Sequence, residues 1–363
     1  MISGLQLQQW WRTRVMPELS LSEWEYLIPL LRRQQMLARF AWRCNLDAMP
    51  IPAYAKRHIQ NAVRLVDKQR AQVEMEAAML HRAIASTRQL VFLKGAAYSL
   101  LQHCHASQGR MYSDIDLLVV FSDIKSVEQD LCLQGFIPDE IDPYDDLYYR
   151  RWAHEIPPLR HIERGTVLDV HHQLLPPISG RAPDLTPFWQ SIRQTPQGHW
   201  VLGPAAMYLH STIHLFCNEE IKHGWRDLTD LALLAEEFDS PEFWQELITL
   251  AQTSGFAPEL WFSLDQLQRS GMLQLPEAAH TWWQSYQPSL LARTLWRATY
   301  TRILSPNRPS WLWTTLLAIR GHWQKMPLPI LLKHTAMKGY RAIVSALFGP
   351  QFLIKDKDQP HQS

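Results

Sequence analysis

The stretch Arg110-Met-Tyr-Ser-Asp-Ile-Asp-Leu-Leu-Val-Val-Phe121 is the most informative in the chain, because an acidic pair at i and i+2 opens an otherwise apolar segment. An isolated Asp-x-Asp indicates a turn or a helix cap, but the unbroken apolar run from Leu117 to Phe121 favours a buried strand. Side chains alternate along a strand, so Asp114 and Asp116 fall on one face. Two close carboxylates repel each other unless a cation lies between them, and oxygen ligands suit Mg²⁺ or Mn²⁺. The stretch therefore predicts a divalent-metal site where a buried strand begins.

The segment before this stretch predicts a phosphate site. Residues Gln89 to Leu93 are typical of a short buried strand, and Lys94-Gly95-Ala96-Ala97 then leads into a helix that we expect to reach about Cys104. A lysine and a glycine at a helix N-terminus favour phosphate binding. A Lys-Gly pair alone is common, but strand, Lys-Gly, helix, loop and Asp-x-Asp strand in this order is much more specific.

A third carboxylate lies in the segment after this stretch. Residues 160–163 and 166–172 are typical of two strands joined by a tight turn at Arg164-Gly165. The second strand carries Asp169 between Leu168 and Val170, and an acid with apolar neighbours is costly to bury without a partner. We expect the metal site to supply that partner; the alternative is an edge strand with Asp169 in water.

Four histidines need separate interpretations. His171 shares the strand face of Asp169, so it would contact phosphate or the acceptor, and we expect His154 to lie nearby. His210 and His214 have the i, i+4 spacing that holds zinc on a helix, but no His-Glu-x-x-His pattern accompanies them. Buried, hydrogen-bonded histidines are the expectation for this second pair.

These motifs together resemble a known family, the bacterial proteins described as uncharacterised nucleotidyltransferases, within the superfamily that shares the DNA polymerase β type fold. The matching segments are Leu93-Lys94-Gly95, Arg110, Ser113-Asp-Ile-Asp-Leu-Leu-Val119, Leu168-Asp-Val-His171 and the predicted helix Trp225–Leu234. Many relatives carry Gly-Gly or Gly-Ser where this chain has Lys94-Gly95. That difference leaves the triphosphate contact to Lys94 and to backbone amides.

The resemblance implies the fold, the activity and the residues of the site. The fold would be α+β, with a mixed-sheet core flanked by helical regions. The activity would be transfer of a nucleoside monophosphate from a nucleoside triphosphate, ATP among the candidates, to an acceptor hydroxyl. Asp114, Asp116 and Asp169 would be catalytic and would hold Mg²⁺ or Mn²⁺. Nucleotide contacts would come from Lys94, Gly95, Ala96, Arg110 and Ser113, although an exposed loop arginine is an equal alternative for Arg110.

The pattern of periodicity and proline content divides the chain into five parts. These are a helical lead-in (1–86), the nucleotidyltransferase core (87–175), a Pro-rich linker (176–204), a helical C-terminal domain (205–350) and a disordered tail (355–363). The core includes a helix that we expect to start at Ser122 and to end at Gly135.

Composition indicates a cytoplasmic enzyme. The chain of 363 residues has 46% hydrophobic content, which is enough for a core with accessory regions. No apolar stretch approaches the roughly 18 residues that span a bilayer, and the start lacks the basic and apolar segments of a secretory signal. The four cysteines have no Cys-x-x-Cys spacing, so free thiols are expected.

The C-terminal part is strongly basic, which the net charge of +1 conceals. Residues 278–355 contain no acidic residue and ten basic ones, with six tryptophans among them. This asymmetry favours an anionic acceptor or surface, namely nucleic acid, anionic lipid or a phosphorylated glycan carrier, so a membrane-peripheral location is open. The alternative is that the tryptophans are helical core and the basic residues a solvated face.

Two further functions remain open from the sequence. One is a regulatory, antitoxin-like protein that keeps the fold without turnover, although the three carboxylates speak against it. The other is a scaffold that binds nucleic acid or a membrane surface through the basic C-terminal part.

Overall fold

The computed structural model describes residues 2–46, 49–85, 89–101, 103–139, 141, 143–333, 335 and 344. Within them the strands are β1 (Val91–Phe92), β2 (Ile115–Leu118), β3 (Phe136–Pro138), β4 (Leu159–His161), β5 (Val167–His171), β6 (Arg193–Gln194) and β7 (Trp200–Val201). The predicted tail 355–363 lies outside the described residues.

Helices precede, interrupt and follow the strands. Those before β2 are α1 (Gly4–Thr13), α2 (Leu21–Arg33), α3 (Leu37–Arg43), α4 (Ala53–Leu80) and α5 (Lys94–Leu100). Those between β2 and β7 are α6 (Ile124–Leu133), α7 (Pro143–Trp152) and α8 (Thr186–Gln190). Those after β7 are α9 (Pro204–Phe216), α10 (Gly224–Phe238), α11 (Pro241–Thr253), α12 (Ala257–Arg269), α13 (Glu277–Ser285), α14 (Leu290–Ile303) and α15 (Trp311–Lys325).

The seven strands form one mixed sheet in the order β3-β4-β5-β2-β1-β7-β6. β2 pairs in parallel with β5 and antiparallel with β1, while β1 pairs in parallel with β7. The predicted hairpin before Asp169 is present as β4 and β5, with Gly165 in the left-handed region at φ 69°. The expected α+β fold with a mixed sheet and flanking helices is confirmed.

Strand β2 runs through the middle of the sheet, and all four of its residues are buried. It ends at Leu118, earlier than the apolar run to Phe121 indicated. The backbone turns at Phe121 into a short 3-10 segment that leads to α6, and the Phe121 ring is exposed and contacts His172 instead. The next strand, β5, lies between β4 and β2, so Asp169 is not on an edge strand.

The Pro-rich passage 176–204 is not only a linker. Its residues 193–194 and 200–201 form the antiparallel pair β6 and β7, and β7 adds to the sheet beside β1. Strands of two residues carry too little alternation to stand out in a sequence, because their position depends on a partner about a hundred residues earlier.

The N-terminal helices pack on the sheet through buried polar contacts from α4. Glu76 is fully buried and accepts hydrogen bonds from the Arg164 guanidinium and the Thr166 hydroxyl, at 2.5 and 2.7 Å. Gln69 donates to the carbonyl of Tyr112 at 2.8 Å. These bonds fix α4 against the turn before β5 and the loop before β2, which lead into the two strands that carry Asp169 and Asp116.

More of the positive charge in the basic C-terminal segment is paired with acids than its sequence indicates. Three of its cations pair with acids from earlier parts of the chain: Arg297 with Asp265, Arg320 with Glu259 and Lys325 with Glu219. Composition within one segment misses such pairs, because the acids lie on α12 and after α9. Exposed cations remain at Arg302, Arg308 and Lys333, whereas Lys338, Arg341 and Lys355 lie outside the described residues.

The tryptophans of this segment are divided between the core and the surface. Trp282 is buried and packs in the core cluster, while Trp311 and Trp323 on α15 are 77% and 66% exposed. The core interpretation therefore holds for some of these rings and not for others.

Candidate active site

One cavity of about 290 Å³ brings together almost all of the predicted site residues. It lies where β2 begins, between the sheet, the start of α5 and the C-terminal helices. Those that line it are Lys94, Gly95, Arg110, Ser113, Asp114, Asp116, His154, Asp169 and His171. Ala96 is buried in the first turn of α5 and is not part of the lining.

The three predicted catalytic carboxylates come from β2 and β5. Asp116 and Asp169 are register partners in the parallel ladder, so their side chains leave the sheet side by side. Asp114 immediately precedes β2 and is exposed at the cavity mouth, where the Ser113 hydroxyl donates to its Oδ1 at 3.0 Å. Ser113 thus orients a predicted metal ligand.

Asp116 is the most buried of the three acids, at 4% exposure. Its Oδ1 lies 2.6 Å from the Lys94 ammonium nitrogen and 3.1 Å from Nε2 of His171. Burial by itself opposes ionisation, but the Lys94 charge and the His171 hydrogen bond outweigh it and hold the pKa of Asp116 well below its usual range. Asp116 is therefore a carboxylate at neutral pH.

Asp169 has the opposite electrostatic environment. Burial, followed by the charges of Asp116, Glu155 and Asp114, raises the pKa of Asp169 to about 7. Burial and the charge of Asp116 also raise the pKa of Asp114. These four acids, Asp114, Asp116, Glu155 and Asp169, share one cavity, and ionising all of them requires added positive charge.

Lys94 occupies a strained backbone position at this site. Its φ is +46°, in the left-handed region that costs a side-chain-bearing residue about 1 kcal/mol or more. The Leu93 amide donates to the Asp116 carbonyl at 3.0 Å, which ties this turn to β2. The turn aims the Lys94 ammonium at Asp116, where the sequence predicted a contact to phosphate.

Arg110 is neither an exposed loop residue nor an uncommitted cation. It is 9% exposed, its Nε donates to Oδ2 of Asp230 at 2.9 Å, and its guanidinium lies over the rings of Tyr98 and Tyr112. A Cβ at position 95 would collide with this guanidinium, which explains the glycine there. The described contacts therefore give Arg110 a structural task beside the predicted phosphate site.

The histidines differ in their environments. His171 is buried, and His154 lies beside it with the ring centroids 5.4 Å apart. His210 is buried as expected, but its Nδ1 bonds to no group in the described part of the chain, and His214 opens to the cavity. We expected two buried, hydrogen-bonded histidines on α9. That expectation is wrong for His214, and for His210 it holds for burial but not for hydrogen bonding at Nδ1.

A family model described as uncharacterised nucleotidyltransferase matches residues 20–304 of this chain. The chain belongs to that family. Searches of curated proteins and of solved structures find no match. The match extends from α2 to the end of α14, so it includes the sheet, most of the C-terminal helices and every cavity residue except Lys325.

Members of nucleotidyltransferase families usually use divalent metals, and the donors in this member fit such an ion. Asp114, Asp116 and Asp169 offer only oxygen ligands, as Mg²⁺ and Mn²⁺ require. A bound dication would also offset the repulsion that, together with burial as the larger cause, raises the pKa of Asp169. Because Lys94 already bonds to Asp116, a metal ligated by this carboxylate would compete with the ammonium.

Several residues of the cavity in this family member were not predicted from the sequence. Glu155 precedes Ile156 and a Pro-Pro pair, and its Oε2 lies 3.2 Å from Nδ1 of His171. Arg226, Asp227 and Lys325 also line the cavity. The helix resemblance at 225–234 indicated the first two indirectly, whereas Lys325 comes from α15 and carries no local signal.

The helices in the described part of the chain are all too short or too polar to cross a membrane.

Proposed function

We propose that this protein is a metal-dependent nucleotidyltransferase. An acceptor hydroxyl oxygen forms a bond to the α-phosphorus of a nucleoside triphosphate, and the bond from that phosphorus to the oxygen leading to the β-phosphate breaks. Pyrophosphate leaves with that oxygen, and the hydroxyl proton passes to a base. The observation that carries the proposal is the side-by-side register of Asp116 and Asp169 in a cavity that they share with Asp114 and Lys94.

The metal site of the proposed reaction is formed by Asp114, Asp116 and Asp169, which would hold Mg²⁺ or Mn²⁺. Metal bound there supplies positive charge that neutralises the triphosphate and stabilises the attacking and leaving oxygens. Ser113 supports the site because its hydroxyl bonds to Asp114, and His171 supports it because its ring bonds to Asp116.

Asp169 is the candidate base. A general base works best when its pKa lies near the working pH; in the metal-free site the pKa of Asp169 is raised to about 7, and a bound dication would lower it from there. Its carboxylate would take the proton of the acceptor hydroxyl. Asp116, whose pKa is depressed, would remain an ionised ligand.

The triphosphate contacts would come from the turn before α5. The first helical bond there runs from the Ala97 amide to the Leu93 carbonyl, so the amides of Lys94, Gly95 and Ala96 precede it. With Asp116 occupied as a metal ligand, the Lys94 ammonium would be released to contact the β- and γ-phosphates. Arg110 would act chiefly by supporting the backbone at Gly95, because Asp230 already holds its guanidinium.

The acceptor is proposed to be anionic and to lie towards the C-terminal helices. Lys325 of α15 lines the cavity, and Arg302, Arg308 and Lys333 are exposed elsewhere in the C-terminal segment. We place the reaction in the cytoplasm of a bacterium, in solution or at a membrane surface. Membership of the DNA polymerase β type superfamily is part of the same proposal.

The test determines which product receives each phosphate of a labelled nucleoside triphosphate. Each nucleoside triphosphate, beginning with ATP, is supplied with Mg²⁺ and cell extract, labelled on the α-phosphate in one series and on the γ-phosphate in another. We expect α-label in an acceptor and γ-label in pyrophosphate, and we expect no transfer by Asp169→Asn. Transfer of the γ-label would indicate a phosphotransferase. Binding of the triphosphate without any transfer would favour a regulatory protein.

A further inference from the structure

His154, Glu155 and His171 form a second group of possible ligands beside the three aspartates. Each residue offers one ligand atom, and these atoms all lie within 4.8 Å of one another. The donors are two imidazole nitrogens and one carboxylate oxygen. This set differs in kind from the all-oxygen set of Asp114, Asp116 and Asp169.

The backbone holds this group in place. Glu155 and His171 form an isolated antiparallel bridge at the end of β5. The amides of His172 and Gln173 both donate to the carbonyl of His154, at 2.8 and 3.2 Å. The three ligands therefore lie on hydrogen-bonded backbone, as a pre-organised binding site requires.

The contacts of His171 match those of a metal-bound histidine. Its Nδ1 lies 3.2 Å from Oε2 of Glu155, and its Nε2 lies 3.1 Å from Oδ1 of Asp116. A ligating histidine commonly donates its second ring N–H to a carboxylate, which fixes the tautomer and the ring orientation. Asp116 can play that part here.

His154 contributes an independent observation. Its Nδ1 is buried and bonds to no other group among the described residues, and its Nε2 lies 4.0 Å from Oε2 of Glu155. Buried polar atoms in proteins nearly always have a partner, so a ring with one unpaired buried nitrogen, whose other nitrogen lies near the Glu155 carboxylate, points to a ligand. The ring also lines the cavity, which gives an ion a route to it.

We propose that His154, Glu155 and His171 bind a divalent transition-metal ion such as Zn²⁺ or Co²⁺, in a site separate from the three aspartates. Imidazole nitrogens suit these ions, whereas Mg²⁺ prefers oxygen ligands. Three protein ligands leave a coordination position for water or for a substrate group. This site uses the two histidines for a cation, where the sequence predicted contacts to phosphate or to the acceptor.

The site is linked to the aspartates through one side chain. When Nδ1 of His171 ligates the ion, Nε2–H donates to Asp116 and holds that carboxylate in place. The competing interpretation is that His171 carries two ring protons and bridges Glu155 and Asp116 as a cation, which would use the same two contacts without metal.

The experiment uses the full chain, freed of metal by a chelator that is then removed, and Co²⁺ alone as the probe. We expect one equivalent of Co²⁺ to give visible absorption bands of a nitrogen-ligated ion. Zn²⁺ should displace it, and a hundredfold excess of Mg²⁺ should not. No nucleotide is present, so failure of this site and failure of the proposed reaction are distinguishable.

Matched variants identify the ligands. His154→Ala and Glu155→Gln should each weaken Co²⁺ binding at least about tenfold. His172→Ala is the control, because His172 is the next residue and contacts Phe121 at a ring distance of 5.0 Å. Asp114→Asn should also keep the bands. His154→Gln provides a second substitution of the same ligand. A circular dichroism spectrum of each variant separates loss of a ligand from loss of the fold.

Two results would overturn the proposal. If no bands form in the wild-type chain, the group does not bind this class of metal, and the protonated bridge is then the better interpretation of the His171 contacts. If the bands persist in His154→Ala but disappear in Asp114→Asn or with excess Mg²⁺, the Co²⁺ lies among the aspartates.

Discussion

Asp116 of β2 and Asp169 of β5 are register partners on adjacent parallel strands, yet their pKa values move in opposite directions. The Lys94 ammonium and the His171 ring lie against Asp116 and keep it ionised. Asp169 is partly buried, contacts no such cation among the residues that the structure describes, and is repelled by its acidic neighbours. Two equivalent positions in one sheet thus carry one permanent anion and one titratable group, which suits a ligand and a base.

Lys94→Met should separate metal binding from triphosphate binding. The Lys94 ammonium competes with metal for Asp116, so its loss should tighten Mn²⁺ binding in the absence of nucleotide. The same change removes a charge-assisted bond to the phosphates, worth about 1.5 kcal/mol, and should weaken triphosphate binding about tenfold. Calorimetric titrations with Mn²⁺ and with Mg-triphosphate measure both, and the control is Lys125→Met on α6. Affinities that shift in the same direction would show that Lys94 does not change partners.

Metal binding should depend on pH because Asp169 must lose a proton. With a pKa of about 7, Asp169 is mostly protonated at pH 6 and mostly ionised at pH 8, so Mn²⁺ affinity should rise up to pH 7 and then level off. In the metal-free protein the free energy of unfolding depends on pH in the opposite direction. Because its pKa is raised, Asp169 keeps a proton in the folded state that it loses in the unfolded state. Its contribution to the free energy of unfolding therefore falls as pH rises from about 4 to 7.

The measurement of this pH effect is Mn²⁺ titration in buffers of different ionisation enthalpy, which counts the released protons. Asp169→Asn should remove one released proton near pH 6.5 and flatten the affinity profile. An unchanged proton count in this variant would contradict the assignment of the titrating group.

The buried pair of Arg110 and Asp230 should be a main determinant of stability. Asp230 also binds Arg39 of α3 at 2.5 Å, so one carboxylate of α10 holds cations from two other parts of the chain. Asp230→Asn removes the carboxylate charge that both guanidinium groups contact, and we expect a loss of about 3 kcal/mol in the free energy of unfolding. Glu236→Gln, whose pair with Arg43 is less buried, should cost clearly less. Denaturant unfolding checks this order, and equal losses would contradict it.

The exposed C-terminal cations should hold an anionic surface. Changing Arg302, Arg308 and Lys333 to Glu should weaken retention on heparin or on anionic phospholipid vesicles, and the difference should shrink as salt screens the charge. The matched control changes three exposed lysines elsewhere, Lys56, Lys68 and Lys125, and alters the net charge by the same amount. If both triple variants lose retention equally, the effect comes from net charge and not from these three positions. Arg297 is unsuitable for this test because buried Asp265 pairs with it.

The sequence predicts the local features of this fold well. Periodicity predicts a helical C-terminal domain that begins at 205, and the structure has the helices α9 to α15 between residues 204 and 325. The pair of acids before an apolar run also identifies the start of β2. In both cases the signal lies within about fifteen residues, where chain geometry alone relates the side chains.

The features that the sequence does not predict depend on distant partners. Asp230 lies 120 residues from Arg110, and Glu155 approaches His171 only because the chain returns beside the end of β5. The helix expected to reach Cys104 ends at Leu100. A buried acid on an apolar helix face, such as Asp230, is the one local sign of such a partner, because it is too costly to bury alone.

The most direct test of the account is binding of a non-hydrolysable triphosphate to wild type and to Asp116→Asn, measured by calorimetry with Mg²⁺ and with EDTA. We predict that Mg²⁺ tightens binding to the wild type at least about tenfold, equivalent to about 1.4 kcal/mol, and has no such effect in the variant. The control is Asp67→Asn on the exposed side of α4, which should behave as wild type. Equal binding with and without Mg²⁺ in the wild type, unchanged by Asp116→Asn, would contradict a metal-dependent site at these aspartates.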